Sequence, residues 1–264
     1  MYVHINVIKN YTEKENIRFH KIMNNIFKEN GYNWLNVIAE IDLCKSIFYD
    51  TYIDKEKDTE KMYAELINSI SLVDNEKIKI LLTNIFNDPI ISEKFKKHPG
   101  AIEIHHNWIG GLLEHTLEVL KYSQLTLQQF PMLDKDLLIA GSLLHDIGKL
   151  DELEVTSRIK GTNKGQLTGH LILGIIYVAQ RIDEIADFDK TIKDKILHIL
   201  TSHHGKNEFG SPKEPMFPEA LAIYYADELS SKISEMTEFI ESAKEETEDD
   251  FMYSKRKSGN IFLK

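Results

Sequence analysis

The stretch DKDLLIAGSLLHDIGK, residues 134–149, decides the fold class, because its apolar run leads directly into His145 and Asp146. A helix that is buried on most of its sides carries apolar residues in this nearly continuous way. Gly148 follows within the next turn and is a typical helix end. The sequence therefore predicts a core helix that places a histidine and an aspartate at its end.

The segments on both sides of this stretch also show the helical spacing of apolar residues, from about Thr59 onward. The segment GLLEHTLEVLKYSQLTLQQF ends just before Pro131, as a helix should. Further helices are predicted from Thr168, up to Gly205, and from Pro218 onward. The predicted architecture is mostly all-α, a bundle of roughly seven or eight helices.

The N-terminal part of the chain, residues 1–58, differs from this helical part. Three short runs rich in β-branched and aromatic residues, at 2–8, 34–43 and 46–53, surround one helical pattern at 17–30. An almost wholly charged segment, DKEKDTEK, separates them from the helices. We therefore predict a small α+β appendage over 1–58, followed by a helical domain over 59–264.

Composition excludes several classes of protein. The only cysteine is Cys44, which rules out an internal disulfide and a thiolate zinc site. No apolar run approaches the roughly 18–20 residues of a membrane helix, and the N-terminus lacks a signal peptide, so a cytoplasmic protein without membrane contact is expected. The net charge of −10 argues against a surface coated in basic patches, although a local basic groove stays compatible with it. A homo-oligomer is also compatible with the sequence.

The candidate functional residues fall one by one on different predicted helices, 24 to 33 residues apart. Asp227 lies on the apolar side of its helix, where an unpaired carboxylate costs several kcal/mol. Imidazole and carboxylate groups together suit divalent metals such as zinc, iron, manganese and nickel. The candidates are His115, His145 with Asp146, His170, His203 with His204, and Asp227.

Each of these residues has a simpler interpretation when it is taken alone. A single histidine on an apolar face is usually a core residue satisfied by one hydrogen bond, and His98 and His198 are interpreted in that way. Asp227 could pair with a lysine, and Lys149 could be a solvated cation at a helix end. The metal hypothesis therefore rests on the set of residues and on no single member.

The ordered set His115, His145, Asp146 and Asp227 resembles the H…HD…D pattern of the HD-domain metal-dependent phosphohydrolase superfamily. The segments HHNWIGGLLEHT, LLHDIGK and SHHGKNEFGSPKEP are similar to those of the YhaM-type 3′→5′ exoribonuclease family. This resemblance covers roughly residues 97–234. It implies an HD-domain helical bundle.

The resemblance also implies roles for individual residues. His115, His145, Asp146 and Asp227 would form the first metal site, and His170 and His203 would supply further imidazole ligands. His204 would be an additional ligand or a substrate contact, and the pair His105 and His106 would line the substrate channel. Asp146 and Lys149 would be the catalytic residues, with Lys149 meeting phosphate.

The function implied is a metal-dependent phosphohydrolase, a 3′→5′ exoribonuclease that releases nucleotides from single-stranded RNA or DNA. The cofactor would be one or two divalent ions, with Mn²⁺ favoured over Fe²⁺, Mg²⁺, Ni²⁺ or Zn²⁺. One departure is that members of the family usually carry a complete OB-fold before the HD domain. Residues 1–58, with three candidate strands around one helix, do not fit an intact five-stranded barrel, so the resemblance implies a degenerate OB-like remnant there. Two alternatives stay open: an HD-type hydrolase of small nucleotides, and a non-catalytic binding or regulatory module.

Overall fold

The computed structural model describes residues 57–102, 106–155 and 159–264, and over these residues the chain is mainly helical. Two short antiparallel hairpins accompany the helices. The helices are α1 (Thr59–Ser71), α2 (Glu76–Phe86), α3 (Pro89–Lys97), α4 (Gly111–Gln129), α5 (Lys135–Leu144), α6 (Lys149–Glu152), α7 (Asn163–Thr168), α8 (His170–Asp183), α9 (Lys190–Ser202) and α10 (Pro218–Glu246). The strands are β1 (Leu153–Val155), β2 (Ile159–Gly161), β3 (Phe251–Ser254) and β4 (Gly259–Phe262).

Local sequence sets where most of the helices begin. The side chain of the residue before each of these helices accepts hydrogen bonds from backbone N–H groups of the first turn, which otherwise lack partners. Such caps are worth about 1 kcal/mol each, so they fix the helix boundaries firmly. They are Asp58, Asn75, Asp88, Asp134, Thr162 and Asp189.

The centre of the bundle is α5, which packs against α4, α9 and α10. Its residues from Leu137 to Leu144 are all buried, as the apolar run in the sequence predicts. Gly141 lets the neighbours approach closely, since a Cβ there would meet Ile223 Cδ1 at 2.2 Å and Ile199 Cγ2 at 2.9 Å. The end of α5 is thereby held in the middle of the domain.

The turn from α5 to α6 passes directly against the start of α8. A Cβ on Gly148 would meet the backbone oxygen of His170 at 2.0 Å and the backbone nitrogen of Gly174 at 2.6 Å. Only glycine can occupy this position without moving α8 away. The contact brings His170 next to the His145–Asp146 pair.

The mostly helical fold class is confirmed, and two local features differ from expectation. Thr168 does not open a helix: it ends α7, and α8 begins after Gly169, whose φ of +74° is unfavourable for other residues. The hairpins β1–β2 and β3–β4 were not predicted, because strands of three or four residues leave little periodic signal. The predicted α+β appendage at 1–58 lies almost wholly outside the described residues, and its boundary stays a prediction.

Within the described part of the chain, no helix combines the length and the apolar character that spanning a membrane requires.

Candidate metal centre

Three of the predicted site residues meet in the buried interior, at the junction of α4, α5 and α10. His115 lies in the second turn of α4, His145 directly follows α5, and Asp227 lies in the middle of α10. His115 Nε2 is 3.1 Å from His145 Nε2 and 3.1 Å from Asp227 Oδ1. We call His115, His145 and Asp227 the inner triad.

Three further histidines meet nearby at the ends of α8 and α9. His170 is the first residue of α8, and His203 and His204 follow the last residue of α9. His170 Nε2 is 3.2 Å from His204 Nε2, and one ring nitrogen from each histidine lies within 4.8 Å of the others. We call His170, His203 and His204 the outer triad.

Asp146 lies between the two triads and reaches both. Its Oδ2 is 3.4 Å from both His115 Nε2 and His145 Nε2, in the inner triad. Its Oδ1 is 3.6 Å from both His170 Nε2 and His203 Nε2, in the outer triad. One carboxylate thus offers one oxygen to each group of ligand atoms.

Two of the imidazoles are oriented by backbone carbonyl groups. His145 Nδ1 donates to the oxygen of Ser142 at 2.9 Å, and His203 Nδ1 donates to the oxygen of Leu200 at 2.9 Å. A carbonyl oxygen can only accept, so Nδ1 carries the proton in each neutral ring. The Nε2 atoms therefore present lone pairs to the centre, as metal-bound imidazoles do.

The other two orienting contacts use side chains. His115 Nδ1 lies 2.9 Å from Ser230 Oγ, and the Ser230 hydroxyl donates its hydrogen bond to Glu118 Oε2 at 2.7 Å. His170 Nδ1 lies 3.0 Å from Glu152 Oε2. Since both partners accept from Nδ1, His115 and His170 also direct their Nε2 atoms inward.

This donor set fits a divalent cation. Four imidazole Nε2 atoms and the carboxylates of Asp146 and Asp227 converge on a buried space, where charged or polar groups without partners are costly. Among the described residues, the buried atoms Asp146 Oδ1 and His203 Nε2 lack a hydrogen-bond partner. The groups therefore suggest bound divalent metal, with nitrogen and oxygen ligands as zinc, iron, manganese and nickel prefer.

Lys149 places a positive charge beside the centre. Its Nζ lies 2.6 Å from Asp146 Oδ2, and its side chain is 14% exposed. Burial would raise the pKa of Asp146, but the Lys149 ammonium and the His145 imidazole outweigh burial and hold that pKa well below its usual range. Burial likewise disfavours charge on Lys149, yet Asp146 prevails and raises the pKa of the amine.

The remaining sequence candidates lie outside both triads. His106 is buried behind His115, with Nε2 3.3 Å from Glu118 Oε2, and His105 falls outside the described residues. His198 Nε2 accepts from the backbone N–H of Met216, as a packed histidine would. Sequence reasoning missed Glu118, Glu152 and Ser230, because no spacing rule identifies a residue that acts through a ligand.

Parts of this chain are similar to known proteins. Residues 112–232 match the HD domain family, a range that includes both triads, Asp146 and Lys149. The 3′-5′ exoribonuclease YhaM of Bacillus licheniformis is 36% identical over 152 residues, which cover 58% of this chain and 48% of that protein. YhaM of Bacillus subtilis is 35% identical over 151 residues, or 57% of this chain and 48% of that protein. The chain thus spans about half the length of these relatives, and no solved structure matches it significantly.

Proposed function

This chain contains an HD domain, and from that premise we propose that it is a metal-dependent phosphohydrolase, specifically a 3′→5′ exoribonuclease acting on single-stranded RNA. The observation that carries the proposal is the position of Asp146 between two groups of inward-directed ring nitrogens. Two ions held a few ångströms apart are a common arrangement in enzymes that hydrolyse phosphate esters.

The chain offers enough ligands for one or two ions. His115, His145 and Asp227 would hold one ion, the outer triad would hold the other, and Asp146 would contact both. When bound, such ions polarise the phosphoryl oxygens and lower the pKa of a water molecule. Mn²⁺ is the cation we favour.

Hydrolysis at a 3′ end adds water to phosphorus and breaks the bond between phosphorus and the 3′-oxygen of the penultimate nucleotide. The products are a nucleoside 5′-monophosphate and an RNA chain with a 3′-hydroxyl group, which takes up the proton. Lys149 would attract the scissile phosphate through its ammonium group, which lies at the edge of the centre. The deep burial of His115 and His145 keeps their rings fixed during the reaction.

RNA as substrate rests on the relatives, whose names describe 3′-5′ exoribonucleases. The net charge of −10 does not conflict with a polyanionic substrate, because bound cations would supply positive charge at the point of reaction. Since the chain spans only about half of these relatives, hydrolysis of small nucleotides by the same centre is the second candidate.

The test is incubation of the purified, Mn²⁺-loaded protein with single-stranded RNA labelled at either the 5′ or the 3′ end. We expect a ladder of shortened 5′-labelled products and release of 3′-labelled mononucleotide. Cleavage of nucleoside mono- or triphosphates without any ladder would instead support the small-nucleotide hydrolase. Absence of both activities, together with no retained metal, would support a non-catalytic module.

A further inference from the structure

A cavity of about 390 Å³ lies beside the metal centre and contains none of its ligands. It is lined by residues 100–102, by Lys149, Glu152 and Leu153, and by the pair Gly161 and Gly165 with Gln166. These residues come from the loop after α3, from α6 with β1, and from β2 with α7. The volume lies within the range of roughly 300–1,000 Å³ that small-molecule pockets have.

Lys149 and Glu152 connect this cavity to the centre, because each lines the cavity and also contacts a proposed ligand. Lys149 Nζ is 2.6 Å from Asp146 Oδ2. Glu152 Oε2 meets His170 Nδ1 at 3.0 Å, and its Oε1 accepts the backbone N–H of His170 at 3.0 Å. A molecule in the cavity would therefore lie one side chain away from Asp146 and from His170.

The walls of the cavity suit a flat ring. The half-buried Gly161 adds backbone without a side chain to the wall, which permits the close approach of a planar group, while the buried Gly165 packs against the backbone of Glu152. Leu153 and Ile102 add apolar surface, and the exposed Gln166 carries a side-chain amide with both a donor and an acceptor. A cavity that combines apolar side chains with an amide, a carboxylate and an ammonium group matches a nucleobase, a ribose and a phosphate.

We infer that this cavity binds the terminal nucleoside of the substrate and retains the product as a nucleoside 5′-monophosphate. The phosphate would face Lys149, and the base would lie against the backbone of Gly161 with its edge near Gln166. The inference rests on the proposed phosphodiester hydrolysis and specifies the part of the substrate that the protein holds.

Two variants change the cavity without touching the metal ligands. In Gly161→Val the new Cβ would start 3.1 Å from Gln166 Cγ, so the added methyl groups fill space along the wall. Gly161 pairs with Leu153 in a hairpin, where a β-branched residue is compatible with the strand. Gln166→Ala removes the amide from an exposed position and adds no bulk. Leu167→Ala is the matched control, since Leu167 is 88% exposed and does not line the cavity.

The first measurement is calorimetric titration of the Mn²⁺-loaded proteins with AMP and, separately, with inorganic phosphate. We expect AMP to bind more tightly than phosphate, at least about 10-fold weaker AMP binding in Gly161→Val, and about 5-fold weaker binding in Gln166→Ala. Leu167→Ala should match the unmodified protein, and phosphate binding should be the same in all four. Equal affinity for AMP and phosphate, or unchanged AMP affinity in both cavity variants, would overturn the inference.

The second measurement separates this inference from the proposed function. Bis(p-nitrophenyl) phosphate reports diester hydrolysis at the centre, and labelled RNA reports use of the cavity. We expect Gly161→Val to retain hydrolysis of bis(p-nitrophenyl) phosphate and to show a raised KM for RNA.

RNA hydrolysis with unchanged KM in both cavity variants would refute the cavity and leave the function standing. Loss of AMP binding in Gly161→Val in a protein that hydrolyses neither substrate would refute the function and leave the cavity standing. Because Gln166 is exposed, Gln166→Ala keeps the inference testable if Gly161→Val does not fold.

Discussion

The inner triad and the outer triad use the same ring nitrogen in different surroundings. The inner triad lies on helices of the core, and the side chain of His115 is 2% exposed. The outer triad lies at two helix ends, and the side chain of His170 is 15% exposed. The inner triad also includes a carboxylate of its own, Asp227, whereas the outer triad has only imidazoles.

Because of this difference, the pKa values of His115 and His204 are shifted in opposite directions. Burial disfavours the charged form of His115, but hydrogen bonds to Asp146 and Asp227 outweigh burial and raise its pKa to about 9. In the outer triad, burial and the neighbouring rings of His203 and His170 lower the pKa of His204 to about 4. The carboxylates of Asp146 and Asp227, which favour a proton on His115, would favour a metal cation in place of that proton, whereas the outer triad has no carboxylate of its own and is more open. We expect the inner triad to hold the tighter ion and the outer triad to face the substrate.

The largest expected effect comes from Asp146, whose two carboxylate oxygens each reach one triad. Asp146→Asn keeps the shape and leaves an oxygen for Lys149, but it removes the charge that two cations would share. We expect hydrolysis to fall by about 10³-fold or more, because metal-derived stabilisation of the transition state is worth several kcal/mol. Metal content should fall in the same preparation, as measured by mass spectrometry of the purified protein.

The matched control for this substitution is Asp151→Asn on α6, the short helix that follows Asp146. Asp151 is half exposed and pairs with Lys164, away from both triads. The control should retain metal and activity. If Asp146→Asn kept its full metal content, Asp146 would not link the two groups.

The second prediction compares one histidine from each triad. His115→Ala should lose the tighter ion and about 10³-fold in rate, whereas His204→Ala should keep that ion and lose about 10²-fold. The reason is that the substitution His204→Ala leaves His170, His203 and Asp146 in place around the weaker ion. Metal stoichiometry and steady-state rates on the same samples would test this. Loss of the tighter ion from His204→Ala would reverse the assignment.

Much of this arrangement could be predicted from the sequence. The apolar run 134–149 predicts a buried helix that ends at His145 and Asp146, and the structure has α5 there with every residue from Leu137 to Leu144 buried. The spacing of His115, His170 and Asp227 assigns each to a separate helix, which the structure also shows. These predictions succeed because helical periodicity and burial are local properties of the chain.

The division of the ligands into two triads could not be predicted from the sequence. The pattern could not decide between His203 and His204, which both have ring nitrogens within the outer triad. That outcome depends on the turn after α9 and on the approach of α8 to Gly148, and both are tertiary features. Glu152 and Ser230 could not be identified from the sequence for the same reason, since they contact histidines that are 18 and 115 residues away along the chain.

The third prediction concerns the residues that orient the imidazoles of each triad. Ser230→Ala removes the acceptor for His115 Nδ1, and Glu152→Gln removes the charge that faces His170 Nδ1. Such substitutions typically weaken metal affinity about 10- to 100-fold. We expect Ser230→Ala to weaken only the inner ion and Glu152→Gln only the outer ion, as measured by competition with a metal-binding dye.

Glu154→Gln supplies the control for this pair, because Glu154 is about half exposed and pairs with Lys160 at the surface. Its metal affinities should equal those of the unmodified protein. If both ions weakened together in Ser230→Ala, the two triads would be one coupled site.

The smallest expected effect is a change in local stability when metal is removed. His115 and His145 are anchored by α4 and α5, whose core contacts persist without metal, so their backbone amides should stay protected from hydrogen exchange. His170 follows Gly169 at the start of α8, and His203 and His204 precede Gly205, where φ is +77°. Both segments lie at helix ends, so the loss of shared ligands should loosen them first. Hydrogen exchange before and after chelation should therefore rise over residues 167–173 and 202–206 and change little within α5. An equal rise in α5 would mean that the inner ion, too, holds the core together, and the distinction between a preformed inner site and an adaptable outer site would be lost.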